Sequence, residues 1–195
     1  MAYRKTKLKN MKILKNKLPI LLLFLLGTFS AKAQKYVTKN GNVKFEASVP
    51  SFEEVAAESK STSAVLETST GDFAALTLMK GFRFKVALME EHFNENYVES
   101  DKYPKATFKG KIEDFDASQI TTTEKTVTIS GDLTLHGKTK RVSSTAKISK
   151  SGTGFKITGN FIVKPEDFGI EIPKIVSKKV ADKVTVDYNF LLNKQ

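Results

Sequence analysis

Residues 127–136 read VTISGDLTLH. Val127, Ile129, Gly131, Leu133 and Leu135 alternate with Thr128, Ser130, Asp132, Thr134 and His136, the period-two pattern of a strand with one face buried and the other in water. A helix would scatter these side chains around its axis. The pattern recurs on both sides of this stretch. Ala106, Phe108, Gly110 and Ile112 alternate with Thr107, Lys109, Lys111 and Glu113. Phe155, Ile157, Gly159, Phe161 and Val163 do the same, broken once by Ile162, and Val184, Val186, Tyr188 and Phe190 close the set. Weaker signals at 36–38, 43–49, 62–69, 72–80 and 141–149 bring the expected strands to eight or nine. Asn40-Gly41, Gly71-Asp72, Gly137-Lys138 and Ser151-Gly152 supply turn chemistry between these runs, so the order implied is an antiparallel meander.

Strands of this kind close into a barrel or stack as a sandwich. Gly110, Gly131 and Gly159 lie in mid-strand on the apolar face, where glycine permits the bending that closure needs and leaves space inside. The expected fold class is therefore all-β and antiparallel, and these glycines favour a barrel over a sandwich. Such a barrel is just filled by side chains or holds one small ligand, and the pattern is consistent with either. One segment departs from it: Val86, Met89, Phe93 and Tyr97 form a helical stripe and predict an inserted helix over 86–97. Pro173 suits a first helical turn, predicting a second short helix that carries Ile175, Val176 and Val180. Phe73, Leu76, Leu78, Phe82 and Phe84 are apolar on both faces of their segment, and the helix at 86–97 is the nearest cover for one of them.

The first residues have a different logic. Arg4, Lys5, Lys7, Lys9, Lys12, Lys15 and Lys17 precede an apolar run from Leu18 to Leu26, and small residues end at Ala31-Lys32-Ala33. This order predicts a secretory signal peptide over 1–33, cleaved after Ala33, with either Met1 or Met11 as a workable start. The run is too short to span a bilayer, so the processed protein is expected not to be membrane-spanning. The domain is then 34–195, exported to the periplasm or cell envelope. Of the 32 basic residues, eight lie in the leader, leaving 24 against 21 acidic ones. Most of the +11 charge is a targeting device, and the remaining signs are interspersed, which argues against a nucleic-acid partner.

Catalytic chemistry is sparse. With no cysteine, disulfides, thiolate catalysis, cysteine-based zinc sites and lipid attachment through a thiol are all excluded. His92 and His136 are not spaced as a metal pair, and neither an HExxH nor a GxSxG motif occurs. Gly131–Thr139 ends in Gly-Lys-Thr but has the wrong glycine spacing for a phosphate loop, and Leu133 and Leu135 continue a strand through it. Glu113, Asp114 and Asp116 lack the spacing of a calcium loop and read as a solvated turn. No metal, cofactor or enzymatic activity is expected. Fourteen phenylalanines and no tryptophan serve a packed core or an apolar cavity equally well.

Four blocks taken together are specific: MEEHFNENY at 89–97, KYPKATFKG at 102–110, LTLHGKTK at 133–140 and DFGIEIP at 167–173. In order and spacing they resemble the YceI-like family of secreted lipocalin-type proteins. The resemblance implies an antiparallel eight-stranded lipocalin-like barrel with an inserted helix, enclosing a tunnel for a polyisoprenoid or similar lipid, and export to the periplasm. The expected function is that of a non-catalytic binding or carrier protein for an apolar chain-like ligand. Two rivals are a secreted structural or stress-related domain with a filled core that binds a protein partner, and a hydrolase using His92 or His136. The assembly is open between a monomer and a homodimer. A tunnel wall would come from the apolar faces: Phe108, Ile112, Leu133, Leu135, Phe161 and Val163 from strands, Met89, Phe93 and Tyr97 from the helix. Tyr97, His92 and His136 could offer hydrogen bonds to a ligand headgroup, although without a second ionisable group placed beside either histidine both read first as capping or turn histidines.

Overall fold

The computed structural model describes residues 34–195, so the leader expected at 1–33 lies outside the described residues. The alternating segments are strands: β1 (Lys35–Ser48), β2 (Ala56–Glu67), β3 (Asp72–Leu78), β4 (Arg83–Phe84), β5 (Lys105–Ile112), β6 (Lys125–Leu135), β7 (Lys138–Ser151), β8 (Gly154–Val163) and β9 (Val180–Lys194). Between β4 and β5 lies α1 (Ala87–His92). Eight strands follow one another around a closed antiparallel barrel, β1-β9-β8-β7-β6-β5-β3-β2, and β2 returns to β1. Each of the eight is thus bonded on both sides, which removes the free edges an open sheet would expose. The two-residue β4 pairs only with Ala57 and Glu58 of β2.

Closure overrides one expected turn. Asn40-Gly41 lies inside β1 rather than between two short strands, because β1 must reach both β2 and β9. It does so through register shifts between Thr38 and Val43 on the β2 side and between Val37 and Asn42 on the β9 side. A bulge of this kind bends a strand and increases its twist. Glycine is required there, since a Cβ on Gly41 would lie 2.7 Å from Phe190 Cε1 and 2.9 Å from the Thr62 carbonyl oxygen. The β6–β7 turn is made by His136 and Gly137, both with positive φ (49° and 73°), the backbone of a two-residue hairpin whose twist matches its strands.

From Met79 to Pro104 the chain leaves the barrel wall and folds over one end of it. Aromatic rings hold this excursion to β1: Phe93 stacks on Phe45 at 5.4 Å between centroids and meets Phe82 and Phe84 at 5.8 and 5.1 Å. Glu90 accepts hydrogen bonds from the Arg83 guanidinium at 3.0 Å and from the Phe84 backbone amide at 3.1 Å. The helical stripe is continuous as expected, but α1 ends at His92 and the chain runs on through a wider turn, Phe93–Tyr97, closed by Val98 N–H donating to the Phe93 carbonyl at 2.9 Å. The helix sits at the barrel end, not over the outer face of β3, where Leu78 is half exposed.

No helix forms after Pro173. Residues 171–179 are a strap of turns whose backbone bonds are internal: Val176 N–H to the Pro173 carbonyl, and Lys179 N–H to that of Val176. β-branched Ile175 and Val176 are weak helix formers, and so short a segment does not recover its nucleation cost.

The barrel interior is divided. Away from the excursion, Leu66, Ile112, Ile120, Ile148, Ile157 and Leu192 are at most 1% exposed and form a packed core. Each such side chain contributes about 1.5–3 kcal/mol. The other half is built of a second cluster, including Met79, Phe82, Leu133, Val163, Phe168 and Val184, and it surrounds open space.

Candidate functional site

The open half holds a cavity of about 470 Å³. Its floor belongs to the packed core: Phe73, Tyr188 and Phe190 face the cavity on one side and pack among the buried residues on the other, and Phe108 bridges the two clusters. Tyr188 and Phe190 stack at 5.4 Å, and Phe73 meets Phe190 at 5.8 Å and Phe108 at 6.2 Å, so the rings form a continuous layer.

Glycines make this floor possible, though not by leaving space for a ligand. Gly110 and Gly131 are direct partners across β5 and β6, and a Cβ on either would lie within 2.7 Å of Phe108 Cζ. A Cβ on Gly159 would lie 2.7 Å from Tyr188 Cζ. The room expected at these glycines is filled by aromatic rings. Resting on Gly159, Tyr188 brings its hydroxyl 2.7 Å from Ser144 Oγ, which itself donates to the Asn160 carbonyl at 2.6 Å. Burial pushes the Tyr188 phenol up from its ordinary pKa, and the Ser144 hydrogen bond offsets part of that.

The walls come from inward residues of β1, β5, β6, β8 and β9, among them Phe45, Phe108, Leu133, Leu135, Phe161, Val163 and Val186. Over the mouth lie Met89, His92, Phe93 and Tyr97 of the excursion, Phe52 and Val55 of the β1–β2 loop, and Ile172, Val176 and Lys179 of the strap. Lys85 ties that loop to the excursion by bonding to Glu54, which holds the glutamate below its ordinary pKa. The lining is dominated by carbon. Four of its hydroxyls bond in pairs, Thr62 to Thr77 at 2.9 Å and Ser144 to Tyr188, those of Tyr97 and Thr107 also belong to the lining, and the charged or titratable groups Glu53, His92 and Lys179 stand at the mouth.

Of the side chains expected in a tunnel wall, Phe108, Leu133, Leu135, Phe161, Val163, Met89, His92, Phe93 and Tyr97 meet around this space. Two do not. Ile112 shares the inward face of β5 with Phe108 but lies below the ring floor, fully buried in the packed half. His136 turns away from the cavity at the hairpin end, with Nδ1 3.1 Å from the Phe168 carbonyl oxygen, Nε2 2.7 Å from Glu99 and its ring edge-on to Tyr103 at 4.4 Å. It joins the 165–168 turn to the end of the excursion.

Sequence reasoning did not assign Phe45, Tyr188 and Phe190 to the site, although Tyr188 and Phe190 stood in a recognised alternating run. It also missed Ile172 and Val176, which carry no periodic signal because the strap is irregular. Among the described residues, no three His, Cys, Asp or Glu side chains group as a metal site, and no helix is long and apolar enough to cross a membrane.

The arrangement is also found in solved structures. A polyisoprenoid binding domain from Saccharophagus degradans, implicated in plant cell wall breakdown, superposes with a TM-score of 0.72 at 14% identity, covering 84% of this chain and 99% of that one. Burkholderia cenocepacia BcnA gives 0.63 at 18%, covering 78% and 94%. The Campylobacter jejuni YCEI protein gives 0.57 at 17%, covering 75% and 88%. At these identities the likeness is one of fold. No curated protein sequence matches the chain. The sequence profile of the YceI-like domain, however, matches residues 28–192, nearly the whole chain. A closed eight-stranded barrel with a short helix over its open end, matched by that profile along almost its full length, belongs to the YceI-like domain family.

Proposed function

We propose that this protein binds a lipid with a long apolar chain, of the polyisoprenoid class, and sequesters or carries it in the cell envelope without acting on it chemically. The observation that carries this reading is the apolar cavity of about 470 Å³, within the size range of small-molecule sites. A hydrocarbon chain gains about 0.8 kcal/mol for each CH₂ taken out of water, so a cavity of this lining holds one without any charged contact. The ring floor stops the chain, and the charged groups at the mouth stay with solvent and the ligand's polar end. A domain of the same fold is described as polyisoprenoid binding, which supports this choice of ligand class. The hydroxyls of Thr62, Thr77, Ser144 and Tyr188 bond to each other and to a backbone carbonyl, which supports binding rather than hydrolysis.

The test is native mass spectrometry on protein purified from its own cell envelope, followed by organic extraction. A co-purified mass that extracts as a polyprenyl lipid is expected. Protein recovered without any adduct, which also fails to enhance a dye that fluoresces in apolar cavities, would overturn the reading.

A further inference from the structure

Three elements framing the cavity mouth leave apolar side chains in water. Ile175, between the lining residues Ile172 and Val176 of the strap, is 88% exposed. Phe52 lines the cavity and is still 48% exposed, and Leu88, beside the lining residue Met89, is 57% exposed. An isoleucine this exposed gains nothing from the fold of its own chain, so its gain lies in an environment outside it.

Charge says which environment. Within the strap, Ile175 is surrounded by Lys174, Lys178 and Lys179 against a single carboxylate, Glu171. Among the described residues, none of the three lysines is engaged in an ion pair. Across the mouth the charged lining residue is a carboxylate, Glu53 of the β1–β2 loop, while its neighbour Glu54 is paired with Lys85 of the excursion. The mouth is therefore polarised, basic on the strap and acidic across from it. Internal turns hold the strap in shape, including a bond from Ser177 Oγ to the Lys174 carbonyl at 2.9 Å.

We propose that the strap 171–179 docks this barrel on an anionic phospholipid surface. Ile175 enters the boundary between headgroups and acyl chains, and Lys174 and Lys178 meet lipid phosphates. Apolar anchors combined with basic residues are the ordinary means by which a surface segment binds anionic lipid. This placement sets the cavity mouth against the only phase in which a free polyprenyl chain dissolves. Its purpose, though not its physics, rests on the function proposed above.

The closed barrel of residues 34–195 has its own packed core and is the unit to test. Flotation with vesicles of phosphatidylcholine alone is compared with vesicles also containing phosphatidylglycerol. Binding to the second, and much less to the first, is expected, declining as salt screens the lysines. Lys174→Glu/Lys178→Glu should weaken it more than tenfold, given roughly fivefold per lysine near an anionic surface. Ile175→Ser should weaken it several-fold, with circular dichroism and melting unchanged in both variants because these side chains are exposed. Equal binding to the two vesicles, or variants that float like the parent, would overturn the proposal. Bound lipid is read by mass on the same samples. A barrel that docks but never carries lipid sinks the carrier reading alone, and one that carries lipid but ignores vesicles sinks the docking alone.

Discussion

Gly110 and Gly131 face each other across β5 and β6, and the ring of Phe108 lies over both. A methyl group on Gly131 would meet the Gly110 Cα, approach the Lys109 carbonyl oxygen to 2.5 Å and Phe108 Cζ to 2.7 Å. Two of these neighbours are backbone and cannot turn aside. Gly131→Ala is therefore expected to cost about 1–3 kcal/mol, the usual penalty of overpacking, and Gly131→Leu more. Denaturant titration of the two variants checks this. A Gly131→Leu protein as stable as its parent would show that the floor is not packed as described.

Ala106 on β5 also points inward, but into the open half. Ala106→Trp should put an indole where the ligand chain would lie, at little cost in stability because the ring enters space instead of displacing atoms. Melting temperature should move by only a few degrees. Retained lipid mass and dye enhancement should both fall sharply. A variant that still takes up ligand at parental levels would place the binding site elsewhere.

Ile112→Ala separates the two halves of the barrel from the other side. Ile112 is fully buried below the ring floor, and truncating it should cost about 2–5 kcal/mol through lost burial and the cavity left behind. Ligand retention, measured at a temperature where the variant remains folded, should be unchanged. Loss of ligand by folded Ile112→Ala would mean that the cavity extends through the floor.

Glu99 is held below its ordinary pKa, first by its hydrogen bond from His136 and then by the charge of Lys102. Because the folded value is depressed, this contact adds stability above the ordinary glutamate range of about pH 4.3 and loses it as pH falls through the folded value. Comparing melting of the parent and Glu99→Gln across pH tests the sign. The parent should be the more stable at neutral pH, and the gap should close as pH falls through the lowered folded value. A gap that widens on acidification would reverse the assignment.

What the sequence determined by itself is what depends on near neighbours. The alternation in VTISGDLTLH sets which side chains of β6 point inward, because successive residues of any strand face opposite ways, and the Val86, Met89, Phe93, Tyr97 stripe sets a helical face in the same local manner. The resemblance of four blocks to the YceI-like family supplied the barrel and its inserted helix, and the family match and the fold bear this out. Depth along the barrel was not legible. Phe108 and Ile112 have the same periodicity on the same strand, yet one borders the cavity and the other is sealed in the core, because the facing glycines that admit the ring floor come from two strands whose register only closure fixes. His136, at a strand end before a glycine, was legible as a turn histidine, but its partner Glu99 was not, because it lies 37 residues away across a turn whose path no local pattern encodes. The strap was read as a helix from Pro173, but its conformation follows from spanning the mouth between β8 and β9, with Ile172 and Val176 turned onto the cavity. Period and face are properties of a segment, whereas the boundary between filled and open interior is a property of how eight segments meet, and only the tertiary structure decides it.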